Sequence, residues 1–474
     1  MSQSITTTGL TRRALLTGAA GAGLAGLVPR SAFAGDFRLT AAPARVPLVP
    51  GQPETAVWAY NGTVPGPEIR VRQGGRARIV VENRLVEGTT VHFHGIRLPN
   101  AMDGVPHLTQ PPIAPGGTFT YQFGVPDAGT YWYHPHVDSA VQVGRGLSGA
   151  FIVEEREPIP VDRDVVWMLS DWRLLPDAQI RDDFGNMHDK AHNGRVGDTV
   201  TINGRVPETF AMRRGERIRL RLINAANARV FGLRFTGHAP LIVAYDGQPV
   251  APHPSPDGAV VLGPAMRVDL VLDAMGKPGE RFRIVDDYYR GLAYRLVDIV
   301  YDAAPLRERA PDSPIALPAN ALPEPDVSAA VRHEVTLNGG MMGMMMMQRR
   351  GMGGMSDMME MMRSGKVWFM NGVAMMEGHV MEPMLTLPRG RTAVIAMNNE
   401  TTWWHPMHLH GHAFRVISRN GAPTRYREWQ DTVLVAPRER VEIAFVADNP
   451  GDWMFHCHVL EHQESGMMGI VRVA

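Results

Sequence analysis

The sequence predicts an all-β chain made of three β-sandwich domains, on three observations. Glycine and proline are abundant (49 and 37 of 474 residues), and aromatic and β-branched residues fall in short runs bounded by turn residues, the pattern of short strands. One opening pattern occurs three times: an Asn-Gly turn, then a strand of alternating character. Asn61-Gly62-Thr63-Val64-Pro65 leads to Gly74–Asn83, Asn203-Gly204-Arg205-Val206-Pro207 to Gly215–Asn224, and Asn371-Gly372-Val373, after a longer gap, to Gly390–Asn398. The copies are much farther apart than solenoid repeats, so they mark separate homologous domains and not a stack. A chain of 474 residues is also too long for one core.

Taken in order, residues 1–34 read as an export signal. Thr11-Arg12-Arg13-Ala14-Leu15-Leu16 opens an apolar stretch that runs to Val28, and Ala32-Phe33-Ala34 follows as a small-x-small cleavage site. The arginine pair resembles a bacterial twin-arginine signal. The apolar run is too short and too glycine-rich to span a membrane. A periplasmic or secreted chain starting near Gly35 is expected. The first domain is expected over 35–155, the second over 156–303 and the third over 331–474, with a Pro- and Ala-rich linker at 304–330. A methionine-rich insert at 338–365 interrupts the third. Equal numbers of basic and acidic residues (48 each) argue against nucleic acid as a partner. A monomer is expected.

The first and third copies share more than the turn. Val91-His92-Phe93-His94-Gly95 mirrors Met407-His408-Leu409-His410-Gly411, and Trp132-Tyr133-His134-Pro135-His136 mirrors Met454-Phe455-His456-Cys457-His458. The second copy has no such pairs. On a strand each His-x-His pair projects to one face, which suits two imidazoles reaching one metal cluster. One such pair alone reads as ordinary structural histidine; four pairs, one bracketing the sole cysteine, do not. Their division between two domains puts the metals in the interface of the first and third, with the second as a spacer.

The stretch from Asp452 to Met467 organises the site. Strand alternation turns Cys457 to one face and His456 and His458 to the other. Cys457 is the only cysteine, so no intramolecular disulfide forms, and in an exported chain ligation is a use for it. His405, Cys457 and His462 can hold one copper, with Met467 as the long axial contact of a trigonal electron-transfer site. The eight paired imidazoles can hold a three-copper cluster behind it.

These four signatures, spanning essentially the whole mature chain, make it resemble three-domain multicopper oxidases of the laccase and cuprous-oxidase type. The resemblance implies cupredoxin-like Greek-key sandwiches, four copper ions, and four one-electron substrate oxidations coupled to reduction of dioxygen to water. Carried over position by position, His405, Cys457, His462 and Met467 match type 1 ligands, and His92 and His408 match type 2 ligands. His94, His134, His136, His410, His456 and His458 match type 3 ligands. Asp103 matches an acid that delivers protons to the cluster. Some relatives have a second acid just after the last type 1 histidine, where this chain has Gln463; Glu464 follows but is expected to point elsewhere.

The donor is read from the methionines. Met341, Met342, Met344, Met345, Met346, Met347, Met352, Met355, Met358, Met359, Met361 and Met362 lie shortly before the type 1 loop. Thioethers are soft ligands that select Cu(I), so cuprous ion is the expected donor in copper tolerance, with phenols or aromatic amines as the alternative. The non-enzymatic alternative is a periplasmic protein that only sequesters copper, or a copper-free scaffold with this fold. Cuprous oxidases place Met and Asp two and four residues before the first type 1 histidine, and here Trp403 and Thr401 stand there. The Trp403-Trp404 pair is expected to cover the site, with Glu400, Asp357 and Glu360 as substitute acids. His188 and His192 are four apart, but the Gly and Asn around them predict a loop.

Overall fold

The computed structural model describes residues 35–341, 363, 365–375 and 382–474. The export signal, the methionines from Met342 to Met362, Asp357 and Glu360 lie outside them. The fold is all-β, with three sandwiches of two sheets each. In the first, a sheet ordered Thr55–Tyr60, Gly35–Val46, Arg76–Asn83, Thr118–Gly124 faces one ordered Gly66–Arg72, Gly149–Glu154, Gly129–His134, His92–His94. The second sandwich opens on Arg163–Trp172 and closes on Tyr294–Tyr301, and the third runs from Val331–Gly339 to Met468–Val473. No helix of the described residues is long and apolar enough to cross a membrane.

The threefold repeat has a structural cause. Asn61, Asn203 and Asn371 have φ of 54°, 50° and 51°, and the glycines after them 77°, 72° and 76°. Two successive residues at positive φ make the tight turn that Asn-Gly tolerates best. Each Asn side chain also reaches the opening strand of its own sandwich. It accepts from the N–H of Thr40, Met168 or Thr336 at 2.7–2.8 Å and donates to the carbonyl of Arg38, Val166 or Glu334. That strand in turn lies parallel to the strand after the turn: Gly35–Val46 to Arg76–Asn83, Arg163–Trp172 to Arg217–Asn224, Val331–Gly339 to Thr392–Asn399. In Arg76–Asn83 the alternate residues Ala77, Ile79 and Val81 are fully buried, the period-two pattern of a half-buried strand.

Apolar contact runs unbroken from the first sandwich to the third, from Phe93 and Tyr133 to Trp453 and Phe455. The second has its own core around Leu220, Phe231 and Leu270. It meets the first through an apolar cluster that joins Trp132 and Ile152 to Met168 and Ile223, and through a buried polar network. Arg219 and Arg221 are buried and share Asp269, at 2.7 and 3.3 Å, and Asp269 also accepts from Thr130 Oγ1 at 2.6 Å. Arg219 keeps Glu155 at 2.8 Å and Arg221 keeps Asp164 at 2.6 Å, so Asp269→Ala removes charged hydrogen bonds without stranding a charge and is expected to cost about 1.5–3 kcal/mol, read as a lower denaturant midpoint.

The connection at 302–330 is tied down along its length. Leu317 is buried beside Ile159 and Val243. Asn320 accepts from Ala128 N and donates to Ala128 O and to Gln248 Oε1, bridging the first and second sandwiches.

The segment around His188 departs from the expected loop: Met187–Ala191 is a short helix that includes His188, and His192 ends it. Asn186 caps its start by accepting from Asp189 N–H at 2.9 Å, and Arg173 holds the Asp189 carboxylate at 2.8 Å. Gly185 and Gly194, both at positive φ, lie outside it as punctuation.

Candidate metal centres

The strand Gly451–Cys457 lies between His405–Leu409 and Met468–Val473. Its register opposes His456 to His408 and Cys457 to Met407. In the first sandwich His92 opposes His134 in the same way. Backbone pairing therefore stacks histidines across strands on both sides of the interface.

On one face of Gly451–Cys457, Cys457 Sγ lies 3.5 Å from His405 Nδ1 and 3.7 Å from His462 Nδ1, and the two nitrogens are 3.3 Å apart. Three bonds of roughly 2.0–2.3 Å to one ion in a trigonal plane require edges of about 3.5–3.7 Å, so this set fits a single ion. The far edge of each ring is held: Nε2 of His405 faces Thr401 Oγ1 at 2.9 Å, and Nε2–H of His462 donates to the His192 carbonyl at 2.8 Å. Such outer bonds fix the tautomer and ring orientation. Trp368 packs on His462 with ring centroids 4.2 Å apart. Met467 is buried, and its carbonyl accepts from Cys457 N–H at 3.0 Å. Burial pushes the Cys457 thiol up, so the thiolate that ligation requires is stable there only with a cation beside it.

On the other face, eight imidazoles converge from the first and third sandwiches. His136, His410 and His456 bring ligand atoms together, as do His92, His94 and His134, and His92, His408 and His410. His458 Nε2 lies 3.4 Å from His134 Nε2. Burial, with the neighbouring rings, pushes His94, His134, His410, His456 and His458 well below the usual imidazole range, keeping them neutral.

Hydrogen bonds select the free nitrogen. His92 and His408 donate from Nδ1 to the carbonyls of Asp103 and Asp431, both at 2.8 Å. Among the described residues nothing hydrogen-bonds their Nε2 atoms or Nδ1 of His94. His456 donates from Nδ1 to Cys457 O, and His410 from Nδ1 to Asp103 Oδ2. Their Nε2 lone pairs then face each other at 3.0 Å, which is repulsive unless a cation lies between them. The residues present fit metal ions on both faces.

Asp103 is buried and touches both His92, through its carbonyl, and His410, through its carboxylate. Gln463 is buried with Nε2 at 3.5 Å from His136, whereas Glu464 turns away and accepts from Ala140 N–H. Trp403 packs against His192 and Trp404 against Tyr288 of the second sandwich. Met341 is half-buried against the core. Glu400 is exposed.

Several neighbours carry no sequence signal. Asp431 accepts from His94 Nε2–H at 3.1 Å and is gripped by Arg267 of the second sandwich at 2.5 and 2.7 Å. Asp246 accepts from the Asp431 and Thr432 N–H groups. His412 packs on Trp453 and donates to the His410 carbonyl; burial pushes it down to about 4.

A trigonal thiolate-and-imidazole set backed by a histidine cluster, on sandwiches of this kind, defines a copper redox protein. Family profiles described as multicopper oxidase match residues 45–158, 163–310 and 354–474. Multicopper oxidase MmcO of Mycobacterium tuberculosis is 32% identical over 93% of this chain and 87% of its own length. A multi-copper oxidase structure from Pseudomonas thermotolerans superposes with TM-score 0.82 at 35% identity, covering 94% of this chain and 100% of that one. The structure titled "Multicopper oxidase from Campylobacter jejuni: a metallo-oxidase" gives TM-score 0.76 at 30% identity, with 92% and 91% covered. The chain belongs to the multicopper oxidase family, and is an oxidase that uses copper.

Proposed function

We propose that the chain is an exported oxidase holding four copper ions, which couples four one-electron oxidations of a donor to reduction of dioxygen to water. Cuprous ion is the main donor, and small aromatic reductants are oxidised as a side activity. His405, Cys457, His462 and Met467 hold the type 1 ion; His92 and His408 hold the type 2 ion. His94, His134, His136, His410, His456 and His458 hold the type 3 pair.

The observation that carries this reading is the division of one strand: Cys457 Sγ lies among His405 and His462, while His456 meets His410 on the far side. Copper, when bound, supplies one-electron redox states at the outer site and enough centres in all to reduce dioxygen without releasing partly reduced species. The chain holds that relay rigid, since a bond from Cys457 to either neighbour joins the two faces. Asp103 places a buried carboxyl against His410, while its backbone carbonyl accepts from His92, which puts a proton-carrying group beside the cluster where a proton must arrive. Gln463 is an amide and cannot shuttle a proton as a carboxyl does.

Two features favour a small cation over a phenol. The outer edge of His462 is closed by the His192 carbonyl and its face by Trp368. The segment from Met341 to Met362 offers 12 thioethers, soft ligands for Cu(I). The test compares oxygen uptake with Cu(I) and with a phenolic donor, in the copper-loaded protein and after deletion of Met342–Met362. Cu(I) is expected to give the higher kcat/KM, and deletion is expected to raise its KM about tenfold, ~1.4 kcal/mol of binding. Cu(I) turnover untouched by deletion would remove the segment's role; uptake with the phenol but none with Cu(I) would make the enzyme a laccase.

A further inference from the structure

We propose that Trp368 positions the ligands of the outer metal site and keeps water from them, and so sets the reduction potential of the ion held there. The inference rests on the assignment of that ion to His405, Cys457, His462 and Met467, and goes beyond it in naming what holds these ligands in place. Trp368 is fully buried. Its indole packs on the His462 ring with centroids 4.2 Å apart and planes 37° from parallel, and meets the His405 ring edge-on at 5.1 Å. One side chain thus packs against both imidazoles of the outer site.

Its main chain holds the turn that carries Met467. The N–H groups of Val367 and Trp368 both donate to the Ser465 carbonyl, at 2.8 and 3.0 Å. Gly466 follows with φ of 117°. A Cβ there would lie 2.5 Å from the Trp368 carbonyl oxygen, so no larger residue fits between the two backbones. Met467 comes next; it donates its N–H to the His462 carbonyl and accepts from Cys457 N–H, both at 3.0 Å. The indole is itself pinned. Its Nε1–H donates to the Lys190 carbonyl at 2.6 Å, two residues before the carbonyl that accepts from His462 Nε2–H. Its benzo edge is closed by Gly340, where a Cβ would lie 2.5 Å from Cη2.

The sandwich itself does not require tryptophan at this position. Trp58 stands three residues before Asn61, as Trp368 does before Asn371, yet it is half-buried with the Arg145 guanidinium 5.1 Å from its ring. In the second sandwich Val200 stands there. An apolar shell controls solvent access to a metal site and, with the hydrogen bonds to its ligands, tunes its potential. Water stabilises the more highly charged, oxidised form, so opening the His462 face to solvent lowers the potential.

The experiment uses the copper-loaded full chain as wild type, Trp368→Phe and Trp368→Leu. A redox titration followed at the visible thiolate absorption gives the potential, and the cupric paramagnetic spectrum and thermal unfolding are recorded beside it. Trp368→Leu is expected to shift the balance about tenfold toward the oxidised site, ~59 mV lower for a one-electron couple, and to move the absorption maximum. Trp368→Phe keeps an aromatic face on His462 but loses the Nε1–H bond, and is expected to shift the balance about threefold in the same direction. Loss of packing from any core lowers the unfolding temperature, so the potential and the spectra decide. Wild-type potential and spectra in both variants, with only the unfolding temperature lowered, would overturn the proposal. If the leucine variant does not fold, the phenylalanine variant decides by the same reading. A wild type lacking the thiolate absorption overturns the assignment of the ion, and the proposal with it, whatever the variants do.

Discussion

Cys457→Ser is expected to abolish the intense visible absorption of the copper-loaded protein and to lower oxygen uptake with every donor by about four orders of magnitude, ~5.5 kcal/mol in barrier. On the proposed assignment the thiolate is both the strongest ligand of the outer site and the covalent start of the relay to His456 and His458. A serine hydroxyl does not ionise near neutrality and is a harder donor than sulfur, so it replaces neither role. The fold should survive. Cys457 is fully buried, but serine is no larger, and the Val459 N–H that lies 3.4 Å from Sγ can donate to a hydroxyl. The backbone pairing of Met407 with Cys457 and of His408 with His456 does not involve the side chain. A stability loss of about 1 kcal/mol is expected, the net value of one imperfect hydrogen bond. The readouts are the visible spectrum, the paramagnetic signal of the inner cluster, which should persist, and thermal unfolding. Visible absorption surviving in the serine variant would show that the metal does not sit on Cys457.

How much of this could be read in the chain depended on whether side chains or backbone carried the information. The histidine pairs and Cys457 are legible because strand alternation converts spacing directly into facing. The three Asn-Gly turns are legible for a similar reason: positive φ at two successive residues restricts the choice of residue. The helix at Met187–Ala191 was hidden because its cap and the Arg173–Asp189 pair overrule the weak local propensity of Gly and Asn. The carbonyls of Asp103, Asp431 and His192, which orient three of the ligands, have no residue-type signature at all. Asp431 and Arg267 lie 164 residues apart in different sandwiches, and neither stands in a repeated pattern, so only the fold brings them together.

That pair gives the second large effect. Asp431→Ala is expected to destabilise the protein by about 3–5 kcal/mol, because the buried guanidinium of Arg267 loses its closest anion. Asp431 is buried, which works against its charge, yet Arg267 holds it well below the usual carboxylate range. Burial and the charge of Asp431 both push Asp246 up; with that charge removed, Asp246, 3.4 Å from Arg267, compensates the guanidinium in part, which puts the loss at the lower end of that range. The effect on the cluster should be selective. His94 loses the acceptor at 3.1 Å that fixes its Nε2–H and keeps only Thr432 Oγ1 at 3.0 Å. His408 bonds to the carbonyl of residue 431 at 2.8 Å, which alanine retains. Losing an outer-shell partner of this kind typically costs about 10–100-fold in affinity or activity. Turnover should fall in that range with the His94 ion disturbed, while the His92–His408 ion keeps its paramagnetic signature. Asp431→Asn should lie between wild type and alanine, since its amide accepts from Arg267 but repels one N–H. Loss of the His92–His408 signature with the His94 ion undisturbed would show that the carboxylate, not the carbonyl, positions His408, and that Arg267 acts through the opposite side of the cluster.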